Sequence, residues 1–250
     1  MRDATFVVDK IDNPHLKNPE IREKLEAIGA IDGRGNRSLD YIVVTGDVVT
    51  GRLLVGRRNK SGREFVQDVS WPHKIQLPID GAGVDEGGAD LLFGLVSAIR
   101  PCVVFETGTH KGRSAKAIAS ALVKNGALGH LWTVDMDDYG VIPAVFTTEE
   151  ADRVTSIVGK TPEILASDEL QALKNIEFAH LDGAHDATII AELDFVEAHA
   201  AADCLVIIDN VLDDSFSDFI EVLGKYTKHP KVTLQTMCGT MLVSMHRDAE

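Results

Sequence analysis

Between residues 103 and 208 the chain repeats one unit, in which a short apolar run meets an acid or a glycine and gives way to a stretch with helical spacing. The runs Val103–Phe105, Leu131–Val134, Val154–Val158, Ile176–Leu181 and Cys204–Ile208 end at Glu106, Asp135, Gly159, Asp182 and Asp209. Runs this apolar suit strands covered on both faces. Helical segments follow at Ala115–Val123, weakly at Phe146–Asp152, and more clearly at Pro162–Leu173 and Thr188–Ala201. Strands alternating with helices predict an α/β fold with a doubly wound, mostly parallel sheet, which binds its ligands at the carboxyl ends of the strands. Four of the five ends carry Asp or Glu, so the expected site is acidic. A helix over Phe216–Tyr226 and a hairpin of Val232–Thr236 and Thr240–Met245 bring the sheet to seven strands.

The remaining chain divides into an N-terminal arm (1–38), a small antiparallel β meander (39–83) and the α/β domain (84–250). The arm holds a short helical pattern from Pro19 to Ile28. The meander is read from Tyr41–Thr45, Arg52–Val55 and Glu64–Val66, which are separated by turn residues. Pro78–Gly88 forms a connector, and Asp90–Ile99 has helical spacing. The 39 acidic and 25 basic residues give a formal charge of −14, which disfavours nucleic acid as a partner. No window reaches the roughly 18 apolar residues of a membrane span, so a cytoplasmic location without membrane association is expected. Cys102, Cys204 and Cys238 lack zinc-site spacing and read as reduced core thiols.

The segment from Val103 to Ala115 carries the chemistry. Gly108 and Gly112 permit a tight turn and a close backbone approach, and free amides at the next helix start favour an electron-rich group. Glu106 opens the pattern Glu-x-Gly-x-x-x-Gly; a carboxylate there would repel a pyrophosphate but suits the hydroxyls or ammonium of a cationic cofactor. That points to S-adenosylmethionine. The plain alternative is a strand-to-helix turn with glycines for geometry. A nicotinamide-dependent oxidoreductase would want Gly-x-Gly-x-x-Gly, which is missing here.

Residues from about 84 to 246 resemble the class I S-adenosylmethionine-dependent methyltransferases, and within them the catechol and caffeoyl-CoA O-methyltransferase type. Glu106-Thr-Gly-Thr-His-Lys-Gly112 resembles the first cofactor motif, which implicates Gly108, Thr109 and His110, with Ser114 as either a helix cap or a cofactor contact. Thr133–Asp137 resembles the second-strand motif, implying that Asp135 holds the ribose hydroxyls with Met136 beside it. Ile157–Thr161 resembles the third-strand loop, which places Gly159, Lys160 and Thr161 at the adenine. Asp182 would touch the cofactor as well. An antiparallel seventh strand beside the sixth is also the mark of that family's sheet.

Leu181–His185 and Ile207–Val211 resemble the loops that carry magnesium in the metal-dependent members. Asp182, Asp209 and Asn210 supply two carboxylates and an amide oxygen, a hard set that suits Mg²⁺. An ion there would bind a substrate hydroxyl and lower its pKa. The alternative is that Asp182 only touches the cofactor and Asp209-Asn210 caps a turn. The related enzymes usually place a lysine base three residues after the metal-binding aspartate; here that position is His185, and histidine can serve the same role near neutral pH. His180 reads as a satisfied core residue, and the ring of His110 as incidental. The expected function is O-methylation of a small hydroxylated molecule, with the arm, the meander and 139–148 shaping specificity and a homo-oligomer possible. The alternatives are a metal-independent N- or O-methyltransferase and a catalytically silent scaffold.

Overall fold

The computed structural model describes residues 5–8, 42–47, 52–58, 64–70, 84, 86–126, 129–229, 231–234 and 239–246. Strands β1 (Thr5–Val8), β2 (Ile42–Asp47), β3 (Arg52–Arg58) and β4 (Glu64–Ser70) form a four-stranded sheet in that order. β2, β3 and β4 are antiparallel neighbours, and β1 runs parallel to β2. The sequence reading assigned no strand to Thr5–Val8, because four residues are too few to show a period. The expected helix over 19–28 lies outside the described residues.

The larger sheet has seven strands in the order β10-β11-β9-β8-β5-β6-β7. β5 (Val103–Thr107), β6 (His130–Asp135), β7 (Val154–Val158), β8 (Ile176–Leu181) and β9 (Ala200–Ile208) pair in parallel, as the apolar runs predict. β11 (Thr240–His246) lies antiparallel to β9 on one side and to β10 (Lys231–Leu234) on the other. β5 has β6 on one flank and β8 on the other, so the chain order reverses there and a crevice opens at the strand ends.

Around the sheet run α1 (Glu86–Ile99), α2 (Arg113–Lys124), α3 (Val141–Val145), α4 (Thr148–Ala151), α5 (Thr161–Leu165), α6 (Asp168–Gln171), α7 (Ile189–His199) and α8 (Ser217–Lys225). Alternate strand residues supply two cores. Val104, Leu131, Phe178, Leu205, Ile207 and Leu242 pack with α1 and α2 on one face. Phe105, Val134, Ala179, Leu181, Val206 and Ile208 pack with α7 and α8 on the other. None of the described helices is long and apolar enough to cross a membrane.

Three local expectations need correction. The helix expected over 162–173 is two short helices, because the Ser167 side chain accepts from the Leu170 amide at 3.4 Å and starts a new one. The helix expected over 146–152 is also divided: Phe146 is extended, and Thr147 with Glu150 forms a reciprocal cap for α4. Cys102 is an exposed free thiol ahead of β5 rather than a core residue, whereas Cys204 is buried and its thiol is pushed far up by that burial. Cys238 lies outside the described residues.

Candidate active site

The turn after β5 is shaped by contact with the turn after β8. Gly108 has φ +86°, and a Cβ there would sit 2.5 Å from the Asp182 carbonyl oxygen. The closest demand on this glycine is therefore the crossing of two backbones, in addition to any approach by a ligand. Its amide donates to the Val134 carbonyl at 2.8 Å. Gly112, at φ +78°, starts α2 without a side-chain cap, so the first amides of α2 receive no partner from it. The His110 amide donates to Asp135 Oδ2 at 2.7 Å and the Asp137 amide to Asp135 Oδ1 at 3.1 Å, which fixes the Asp135 carboxylate between two turns.

Beneath these turns a polar row crosses the sheet. Thr133, Glu106 and His180 are direct partners on β6, β5 and β8, so their side chains share one face. Thr133 Oγ1 donates to Glu106 Oε2 at 2.5 Å, His180 Nδ1 bonds Glu106 Oε1 at 3.1 Å, and the Thr109 and Thr133 hydroxyls meet at 2.5 Å. Glu106 has no exposed surface. The acid expected to orient the cofactor is thus held under the site. His180 is not the satisfied core residue expected, because its Nε2 is buried without a partner. Burial alone would lower the His180 pKa; Glu106 first, then Asp182 and Asp209, outweigh it and raise it.

At the ends of β8 and β9 the candidate catalytic groups converge. Asn210 Nδ2 lies 2.9 Å from both Asp182 Oδ1 and His185 Nε2, and His185 Nε2 is 3.2 Å from Asp182 Oδ1. The His185 ring stacks on Phe216 with centroids 4.3 Å apart and meets Phe219 edge-on at 5.5 Å. Asp209 is only 7% exposed and accepts from Thr240 Oγ1 at 3.0 Å. Burial first, then the Asp182 carboxylate, push the Asp209 carboxyl upward. The Asp182 carboxylate thus contributes to both upward shifts, adding to burial at Asp209 and to Glu106 at His180.

A cavity of about 510 Å³ opens over these groups, within the range of small-molecule sites. Gly108, His110, Asp135, Met136, Lys160, Thr161, Asp182, His185 and Asn210 line it. Of the other sequence-selected residues, Glu106, Thr109, Ser114 and Asp209 are buried and, with Gly112 and Gly159, stand outside that lining. The His110 ring is not idle: it meets Tyr139 edge-on at 5.0 Å.

Phe216 and Glu192 escaped the sequence reading. Glu192 is fully buried, receives the Thr107 hydroxyl at 2.8 Å, and is pushed up to about 7, chiefly by burial. Its signal was a lone acid between Ile189, Leu193 and Val196 on the apolar face of α7.

Residues 105–211 match the family described as "Methyltransferase domain". No curated protein matches the chain. Among solved structures, a Klebsiella pneumoniae protein assigned as an O-methyltransferase is 23% identical, with 68% of this chain and 84% of that one covered and a TM-score of 0.57. The Bacillus cereus O-methyltransferase in complex with SAH is 18% identical, with 65% and 82% covered and a TM-score of 0.55. TomG, the O-methyltransferase of Streptomyces achromogenes involved in tomaymycin synthesis, in complex with SAM, is 19% identical, with 66% and 82% covered and a TM-score of 0.55. At such identities the likeness to these structures is one of fold.

Proposed function

We propose that the chain, whose residues 105–211 match a methyltransferase domain, is a class I S-adenosylmethionine-dependent methyltransferase and methylates a hydroxyl oxygen of a small molecule, with His185 as proton acceptor and a divalent cation held by Asp182, Asp209 and Asn210. The observation that carries this reading is the meeting of Asp182, His185 and Asn210 within 2.9–3.2 Å on the wall of the cavity that Gly108, His110 and Asp135 also line.

The residues suit both groups. Each Asp135 oxygen already accepts one backbone N–H and keeps a second lone pair for a ribose hydroxyl. Two carboxylates and an amide form a hard donor set, and Asp209 is held buried beside the Asp182 carboxylate, where a cation would offset their repulsion. Asn210 offers its oxygen once its amide turns over, since its nitrogen now faces Asp182. Bound S-adenosylmethionine supplies an electrophilic methyl group, and a bound cation supplies charge that favours the ionised form of an acceptor hydroxyl. His185 accepts the hydroxyl proton at Nε2, while Phe216 keeps its ring plane fixed. The turns after β5 and β6 align the cofactor, so that proximity accounts for much of the acceleration. A net charge of −14 further supports a small-molecule acceptor over nucleic acid.

Calorimetry with S-adenosylmethionine, with and without Mg²⁺, tests the pocket, and methyl transfer to a panel of catechols, phenols and vicinal diols tests the reaction. Binding followed by methyl transfer that stops on chelation is the expected result. Transfer unaffected by chelator would remove the metal, and no cofactor binding would remove the whole reading.

A further inference from the structure

We infer that His180, in place of Asn210, whose amide nitrogen faces Asp182 and His185, is the third protein ligand of the divalent cation, so that the centre is a His180–Asp182–Asp209 set that prefers Mn²⁺ or Co²⁺ to Mg²⁺. The inference rests on the metal-dependent reading above and changes its donor set from oxygen alone to oxygen with one imidazole nitrogen.

Sheet geometry puts the three groups together. His180 and Asp182 are two residues apart on one strand and its extension, so they project to the same face. Ile207 pairs with His180, and Asp209 follows Ile207 by two residues, so the Asp209 side chain shares that face as well. One ring nitrogen of His180 and one oxygen each of Asp182 and Asp209 lie within 4.8 Å of one another. Metal–ligand bonds of about 2.0–2.2 Å place neighbouring ligand atoms about 3–4.4 Å apart, so a small contraction closes the set around one ion.

The state of the imidazole supports the assignment independently. The ring is fully buried, its Nδ1 is engaged by the Glu106 carboxylate, and its Nε2 has no partner. An ionised carboxylate only accepts, so Nδ1 carries the proton and Nε2 in the neutral ring carries the free lone pair. A carboxylate that fixes the tautomer of a histidine whose other nitrogen binds metal is the usual support of such a ligand. Thr133 in turn fixes Glu106. A buried nitrogen left unpaired is costly, and a cation between it and the two carboxylates would satisfy all three groups at once. Imidazole binds Mn²⁺ and Co²⁺ more readily than Mg²⁺, which takes oxygen ligands and retains water.

The test uses the full-length protein loaded with Mn²⁺ and pulsed electron paramagnetic resonance, which reads nitrogen bound to the ion, together with calorimetric titrations of Mn²⁺ and Mg²⁺. Wild type and His185→Gln are expected to show a ¹⁴N coupling, and His180→Gln to lose it. The ratio of Mn²⁺ to Mg²⁺ affinity should fall at least about tenfold in His180→Gln, and Glu106→Gln should weaken Mn²⁺ about 10–100-fold. Should His180→Gln not fold, His185→Gln protein grown on ¹⁵N-histidine answers the question, because the ¹⁴N coupling must give way to a ¹⁵N one. Mn²⁺ binding without nitrogen coupling, or coupling that persists in His180→Gln, overturns the assignment and leaves an oxygen-only site. Failure of the wild type to bind either ion overturns the metal-dependent reading itself, and with it the assignment.

Discussion

His180 faces Glu106 directly across the β8–β5 pair, and the two side chains bond at 3.1 Å with neither exposed to solvent. The first acid of the glycine motif therefore supports the floor of the site. Replacing Glu106 by Ala leaves the Thr133 hydroxyl and His180 Nδ1 without their buried acceptor. The expected loss is about 3 kcal/mol or more of stability, read by denaturant unfolding. Asp135→Ala should instead weaken S-adenosylmethionine with little change in stability, because Asp135 lines the cavity. Loss of cofactor binding by Glu106→Ala at unchanged stability would place the acid against the cofactor after all.

His185 Nε2 cannot donate to Asp182 and accept from Asn210 in the same tautomer, although both atoms lie within reach. The acceptor tautomer, with the proton on Nδ1, frees the Nε2 lone pair for a substrate proton once the Asn210 amide turns over. His185→Gln should lower kcat about 10²–10⁴-fold, while calorimetric affinity for S-adenosylmethionine stays near that of the wild type. Phe216→Leu removes the ring stack, so a smaller fall in kcat without a change in KM for the cofactor is expected. A rise in that KM with kcat unchanged would mean that the ring binds the cofactor instead of orienting the base.

The strands of the larger sheet were legible because burial on both faces leaves unbroken apolar runs, and their acidic ends pointed to the crevice. Helices were less so: Ser167 and Thr147 start new helices inside stretches whose apolar spacing reads as continuous. Within the site, Asp135, Asp182, His185 and Asn210 could be found because each lies at a strand's end or in the turn after it. Glu106 and His180 lie inside strands, where sequence cannot tell a group facing the cavity from one facing a neighbour one pair lower. Phe216 follows β9 in the chain whereas His185 precedes it, and no local spacing records such a contact.

Gly108 offers a steric test of the crossing turns. Alanine there would bring a methyl group to 2.5 Å of the Asp182 carbonyl and would also occupy a left-handed backbone region. The backbone strain alone is about 1–2 kcal/mol, and relief of the clash requires the β8 turn to move. Gly108→Ala should lower the unfolding midpoint and weaken both cofactor and metal binding, since Asp182 moves with that turn. An unchanged midpoint with only cofactor affinity lost would assign the glycine to ligand approach alone.

Glu192 provides a prediction with a definite sign. Its carboxyl is pushed from 4.5 to about 7, chiefly by burial and against the hydrogen bond from Thr107. Between those two values the folded chain holds a proton that the unfolded chain has released, so unfolding becomes easier as pH rises. The stability associated with protonated Glu192 is complete below about 4.5 and is lost as pH climbs through about 7, a change of about 3 kcal/mol. Glu192→Gln keeps an acceptor for Thr107 and carries no charge at any pH. Denaturant unfolding without added metal should show the variant close to wild type near pH 4.5 and more stable at pH 8. The difference between the two proteins isolates this group from the other carboxylates, whose own titrations cancel in the comparison. A difference that stays flat from pH 4.5 to 8 would show that Glu192 ionises normally and that its burial is relieved in solution.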